Sequence, residues 1–424
     1  MGGFVLKTSL VALLLTVAAQ PVLADEPDGL KLPFGFHAQV VDEGTGAGAR
    51  HIAVRGGHLY ISTRKERGAT TEPGVIAMDI AGDHKASGLQ HFSTVNDGTG
   101  IRFYKGALYV ASPSTVYRFK FKGNELIPGA KPDVIVDGLP AVGHDNVGMA
   151  FDNSGHLLVA VSGQDNICTD PNIPKGQPAK GLDPCPSLAG RAGVWRFNAE
   201  KTNQKFPADG EQWGTGVRDM MAVDWSPDIH AMYGVMQGRN GTSQQFGKVV
   251  SAEDDADSIA EEMHRIDKGA NLGWPYTYYD IAPHARLTAP EYGGDGKTQA
   301  EGKYSTPVVA FQAHQSPLDL LFYDGKQFPK EYRGGAFVVF QGGSGGVLPL
   351  GHHGYDVVFV PFDKKGKPGQ AQIFADGFAG PAAADRNPGK AMYRPSGAAV
   401  GPDGSLYVVD TLKGRLWRIY YTGK

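Results

Sequence analysis

The sequence predicts an all-β fold, a six-bladed β-propeller, on three observations. A turn followed by an apolar or aromatic strand recurs six times: GHLYIS at 57–62, GALYV at 106–110, GHLLV at 155–159, HAMYG at 230–234, GAFVV at 335–339 and GSLYVV at 404–409. The 59 Gly and 28 Pro are spread along the chain, as many tight turns between short strands require. The length of 424 residues suits a closed ring of six blades at roughly 50 to 70 residues each. With 41% hydrophobic residues, a full core is available.

The blades can be bracketed in order. Blade one covers 50–80 and ends on GVIAMD at 74–79; blade two runs from GTGIRF at 98–103 to the alternating VYRFKF at 116–121. Blade three begins at His144 and closes on VWRFN at 194–198, with a Pro- and Gly-rich insertion between. Blade four spans 216–267, from GVRD to MHRID, and the long stretch 273–306 reads as irregular. Blade five covers 314–362 and blade six 394–421. A ring needs a closing device, so the terminal strand is expected to complete a blade begun near the N-terminus.

The first residues read as an address. Lys7 precedes an apolar run at 10–19, and Val22-Leu23-Ala24 offers the small residues of a cleavage site, so residues 1–24 are expected to be an export signal and 25–424 a single propeller domain. No later stretch is long and apolar enough to span a bilayer. A periplasmic or secreted protein follows. There, Cys168 and Cys185 most simply close the blade-three insertion as a disulfide, and neither begins a C-x-x-C-H haem motif. The formal net charge of −3 gives no case for nucleic acid or an anionic membrane surface. The acidic, helix-compatible segment 251–262 reads as a solvated loop, or alternatively as a calcium site of carboxylate oxygens that lacks the EF-hand framework.

Residues that stand just before the innermost strand of each blade face one mouth of a propeller channel. Arg50-His51, His144-Asp145-Asn146, Arg218-Asp219, His314-Gln315 and Arg394 occupy such positions. Gathered there, guanidiniums and imidazoles would make a cationic pocket with a base, suited to a small polycarboxylate and a proton transfer.

Five stretches in order, HDNVGMAFDNSG at 144–155, GVRD at 216–219, QGRN at 237–240, GANLGWPY at 269–276 and RPSGAAVGPDG at 394–404, resemble the glucose/sorbosone dehydrogenases that use pyrroloquinoline quinone (PQQ). Residues 314–335 are similar to the sorbosone-type branch. The resemblance implies that His144 is the general base at the C1 hydroxyl of an aldose and that Arg218 stands beside the reacting quinone carbonyl. It implies that the backbone carbonyls of the Gln237, Gly238 and Arg239 turn hold Ca²⁺, and that Arg394 pairs with a PQQ carboxylate. Arg50 and His314 would face the cofactor, and electrons would leave to a separate acceptor, such as a cytochrome.

The chain departs from the family at three places. Asp219 stands where Asn is usual, to bind calcium or be turned away. QGGSGG at 341–346 replaces a basic H-G-S-W-N-R, with Lys390, His352 or His353 as nearby substitutes, and Met392 replaces an arginine. These departures keep a second reading open, a propeller that has lost its redox cofactor and binds carbohydrate or protein. A metal-dependent lactonase is disfavoured, because the blade-start residues are mainly basic rather than a carboxylate-rich funnel.

Overall fold

The structure is a computed structural model and describes residues 24–65, 72–92, 95, 97, 99–174, 177–343 and 353–424. The expected export signal up to residue 23, Gly98 at the start of blade two, the 344–346 part of the glycine run and His352 lie outside the described residues.

Six sheets, antiparallel apart from a short parallel strand at the outer edge of two of them, form the predicted six-bladed ring. Their innermost strands are Ala49–Arg55, Ile101–Tyr104, Val147–Phe151, Ala222–Ser226, Pro317–Phe322 and Pro395–Val400. The recurrent phrases supply the second strand of each blade, and these strands are almost wholly buried. Their apolar side chains face sheets on both sides, which is why they read as continuous hydrophobic runs rather than as strict alternation.

Neighbouring innermost strands approach closely enough to demand glycine at their seams. A Cβ on Gly148 would lie 2.7 Å from the Met221 carbonyl oxygen, and one on Gly397 would lie 2.3 Å from that of Arg50. Adjacent blades are also stitched by buried polar groups. Ser62 Oγ donates to Thr99 O (2.7 Å), Thr99 Oγ1 to Val147 O (3.0 Å), and Ser396 Oγ to Ala49 O (3.0 Å). Each bond satisfies a backbone carbonyl at a blade seam, so these seams are fixed without bulky side chains.

The ends close the ring on the last blade. Phe36–Asp42 pairs antiparallel with Leu416–Tyr421 as its outermost strand. Asp28 then clamps the N-terminal segment, accepting from Arg415 Nε and Nη2 (2.8 and 2.9 Å) and from Trp417 Nε1 (2.9 Å).

Three sequence expectations need correction. The fourth strands Ala86–Phe92, Asp133–Asp137, Glu211–Thr215, Val309–Phe311 and Gln372–Ala375 extend the sheets beyond the bracketed blades. The stretch 273–306 is not wholly irregular, since Thr277–Asp280 and Ala285–Thr288 form a hairpin. The acidic segment is not a solvated loop: Ala252–Asp257 is a helix capped by Ser251 Oγ, Asp255 is buried within it, and Glu261 and Glu262 are buried in the following strand. Among the described residues no group of three or more His, Cys, Asp or Glu side chains is arranged to hold a metal. The cysteines do form the expected disulfide, Cys168–Cys185, with Cα atoms 6.2 Å apart. Among the described residues no helix is long and apolar enough to cross a membrane.

Candidate active site

His144 and Arg218 meet where blades three and four adjoin. His144 precedes Val147–Phe151, and Arg218 precedes Ala222–Ser226. Nδ1 of His144 lies 3.3 Å from the Arg218 carbonyl oxygen. A carbonyl can only accept, so Nδ1 carries the proton and Nε2 keeps its lone pair. Burial pushes the His144 imidazole below its ordinary value, opposed by the negative charge of Asp219. A neutral imidazole with an open Nε2 can take a proton from a hydroxyl.

The sign of this shift sets a pH prediction. His144 must be neutral to act as a base, and its lowered value keeps it neutral further into acid than free histidine. The acid limb of kcat/KM should therefore fall off below pH ~6.5, the unperturbed histidine value, and the His144→Gln variant should lack that limb. A limb centred above the unperturbed value would contradict the assignment.

The Arg218 side chain is buried and held at two points. Nε donates to Asn166 Oδ1 (2.9 Å) and Nη1 donates to the Gln237 carbonyl (3.3 Å). Asp219 is buried too, and its Oδ1 accepts from Ser162 Oγ (3.2 Å) across the seam to blade three. Its carboxylate is thereby turned into the seam, while its backbone oxygen accepts from Gln237 N (2.8 Å). His144, Arg218, Asp219 and Gln237 thus form one connected group.

The turn at Gln237, Gly238 and Arg239 rests on strand Glu261–Ile266. Gly238 N donates to Glu261 Oε2 (2.8 Å), and Ser316 N, at the start of blade five, donates to Glu261 Oε1 (3.1 Å). A Cβ on Gly238 would come within 2.5 Å of the Ala260 carbonyl oxygen, so the close approach requires glycine. Burial pushes the Glu261 carboxyl up to about 7. Arg239 turns its side chain away from the mouth, onto Glu291 (2.7 Å) and Thr242 Oγ1 (3.0 Å). Only its backbone could serve a metal.

The remaining candidates are more dispersed. His314 adopts a left-handed backbone (φ 59°), bonds Asp255 O through Nε2 at 2.6 Å, and is pushed below its ordinary value by burial. Arg394 lies at the seam of blades five and six, with Nη2 donating to Gly342 O (2.8 Å) and Nε to Gln341 O (3.3 Å). Arg50 is half-buried on the innermost strand of blade one. His51 does not join the mouth: it is fully enclosed and bonds Leu318 O (2.7 Å). Lys390 is exposed, and His353 is engaged by Asp257 (2.8 Å). Sequence reasoning missed Asn166 and Glu261, which hold Arg218 and the 237–239 turn; proximity to Cys168 was the available signal for the first.

The chain matches the TrAA12-like family over residues 35–422. The chain belongs to this family. The TrAA12-like chain is also similar in fold to the PQQ domain of pyranose dehydrogenase from Coprinopsis cinerea in its holo form, with a TM-score of 0.70, 15% identity, and coverage of 95% of this chain and 98% of that one. A calcium structure of the AA12 carbohydrate-active enzyme of Trichoderma reesei gives a TM-score of 0.72, 15% identity, and coverage of 95% and 98%. An uncharacterized protein of Borreliella burgdorferi is 22% identical over 420 residues, covering 96% of this chain and 94% of its own. The resemblance to PQQ-dependent sugar dehydrogenases, and with it the assignment to the oxidoreductases, is borne out at the level of the family.

Proposed function

We propose that this chain is an exported dehydrogenase that uses PQQ and Ca²⁺ to oxidise an aldose or related sugar or aldehyde at C1, passing electrons to a separate acceptor such as a cytochrome. The observation that carries the reading is His144, held by the Arg218 carbonyl in the tautomer that leaves Nε2 free. The residues present fit the cofactor. Arg50, Arg218 and Arg394 are cations suited to a tricarboxylate, and the carbonyls of Gln237, Gly238 and Arg239 are hard oxygen donors suited to Ca²⁺. Gln237 O already accepts one long bond from Arg218, but a carbonyl has a second lone pair. The buried carboxylate of Asp219 offsets the local positive charge. Asp219, a departure from the family pattern, then acts as a counter-charge rather than a ligand.

Bound PQQ would supply the two-electron acceptor, a carbonyl that receives hydride. The chain supplies the rest. His144 Nε2 takes the proton of the sugar hydroxyl as the C–H bond breaks, and the resulting imidazolium is stabilised by the nearby Asp219 charge. Arg218 presents a fixed positive charge with no reorganisation, because Asn166 and Gln237 O already orient it. His314, neutral and anchored through Nε2, leaves Nδ1 to accept a bond at the mouth.

The test is to add PQQ and Ca²⁺ to the purified protein, record the bound quinone spectrum and screen aldoses with an artificial electron acceptor. Saturable quinone binding and aldose-dependent reduction of the acceptor are expected. Absence of a bound spectrum at micromolar PQQ would overturn the reading and favour a propeller that only binds its ligand.

A further inference from the structure

We propose that Asn166 is the positioning residue that sets Arg218 and the 237–240 turn as one unit, and that the disulfide-closed insertion exists to deliver it. The catalytic consequence rests on the function proposed above; the structural part does not.

Asn166 makes four bonds that converge on the site. Its Oδ1 accepts from Arg218 Nε (2.9 Å) and from Asn240 N (3.3 Å), and its Nδ2 donates to Asn240 O (2.7 Å). Its backbone oxygen accepts from Trp274 Nε1 (2.9 Å). The side chain therefore pairs with both the N–H and the C=O of Asn240 while directing the guanidinium, a geometry that needs an acceptor and a donor on one short planar group. Neither Asp nor Ala supplies both.

Asn166 is held from behind by the insertion. Two residues on, Cys168 is bonded to Cys185, and Asp165 Oδ1 caps Cys168 N (2.6 Å). Cys185 N donates to the Tyr276 hydroxyl (3.0 Å), and Tyr292 Oη donates to Leu182 O (3.1 Å). The disulfide packs against Trp274, whose ring sits so near Gly163 that a Cβ there would be 2.7 Å from it. The strap thus begins at the blade-three wall, crosses to the G-W-P turn and fixes Asn166 between them.

Asn166 supplies the shorter of the two bonds that hold the Arg218 guanidinium. The guanidinium is also anchored by the longer 3.3 Å bond to Gln237 O, and a cavity of about 20 Å³ lined by Asn166, Gln237 and Trp274 lies beside it. That is space for about one water, enough to solvate a released Nε–H.

The experiment compares Asn166→Ala, Asn166→Asp and Cys168→Ser/Cys185→Ser by hydrogen exchange at the backbone of 238–241 and by kcat and KM in the PQQ- and Ca²⁺-loaded protein. Asn166→Ala should speed exchange at Asn240 about 10-fold or more and lower kcat roughly 10- to 100-fold, with little change in KM. Asn166→Asp keeps the acceptor for Arg218 Nε and Asn240 N but loses the donor to Asn240 O, so kcat should recover and exchange at Asn240 should fall between that of the parent and of Asn166→Ala. The cysteine variant should resemble Asn166→Ala, and combining the two should add nothing further. Unchanged exchange in Asn166→Ala would overturn the proposal even if the protein binds no PQQ. Additive losses in the combined variant would overturn the role given to the disulfide.

Discussion

His144→Ala is expected to lower kcat by about 10²- to 10⁴-fold, the usual contribution of a positioned general base. The prediction rests on geometry rather than on the residue type alone. Nδ1 is committed to the Arg218 carbonyl, so the ring presents one nitrogen to the mouth, and that nitrogen is the unprotonated one. Removal takes away the base and one long hydrogen bond. The side chain is half-buried at the mouth, so thermal unfolding should move little while turnover collapses. His144→Gln sharpens the test, because an amide can still donate to the Arg218 carbonyl but cannot accept a proton from a sugar. Both variants should retain the bound quinone spectrum, since the guanidiniums and carbonyls that would hold PQQ and Ca²⁺ are untouched. Turnover surviving in His144→Ala would move the base to another group, with His314 first in line because burial also holds it neutral.

The ring was legible because its second strands are buried on both faces, and a doubly buried strand leaves a dense apolar word in the sequence. The fourth strands left a weaker one, and one of them left none. Ala86–Phe92 is largely exposed, and its residues carry no periodic apolar signal for a reader to find. Closure was legible in principle but not in detail, since the pairing of Phe36–Asp42 with Leu416–Tyr421 depends on a register that only the assembled blade sets. At the site, blade-start position identified His144 and Arg218 because the fold forces those positions to one mouth. It misplaced His51, which shares its strand with Arg50 but faces the wall, as alternation along a strand dictates. Asn166 left only its nearness to Cys168 as a signal, for a different reason. It lies in an insertion with no repeat, and its role arises from where the disulfide and Trp274, more than a hundred positions along the chain, carry it.

The channel floor should carry the largest stability effect: Arg102→Met is expected to cost about 3–5 kcal/mol, the penalty for stranding a buried carboxylate. Arg102 reaches from blade two across the channel to Asp319 on blade five, Nη2 to Oδ1 at 2.7 Å, and also donates to Leu320 O (3.2 Å). Asp319 is fully enclosed, and its second oxygen accepts from Ala398 N of blade six (3.0 Å). One ion pair therefore ties three inner strands together. Asp224 of blade four faces the same guanidinium, and burial already pushes its carboxyl up to about 6. With Arg102 gone, two carboxylates would face each other with no counter-charge. The pH dependence follows from the sign. A carboxyl raised in the folded state binds its proton more tightly there than when unfolded, so its contribution to stability is greatest in acid and is lost as pH rises from about 4 through about 6. Arg102→Met should enlarge that loss, so the variant should be least stable, relative to the parent, at neutral pH and should regain part of the difference near pH 5. Denaturant unfolding of the cofactor-free protein at the two pH values measures this directly. Replacing both partners, Arg102→Met with Asp319→Leu, should recover a large part of the cost, because the charge that needed compensation is gone. A single Arg102→Met variant as stable as the parent at neutral pH would mean that the floor is hydrated and that the pair contributes as little as one on the surface.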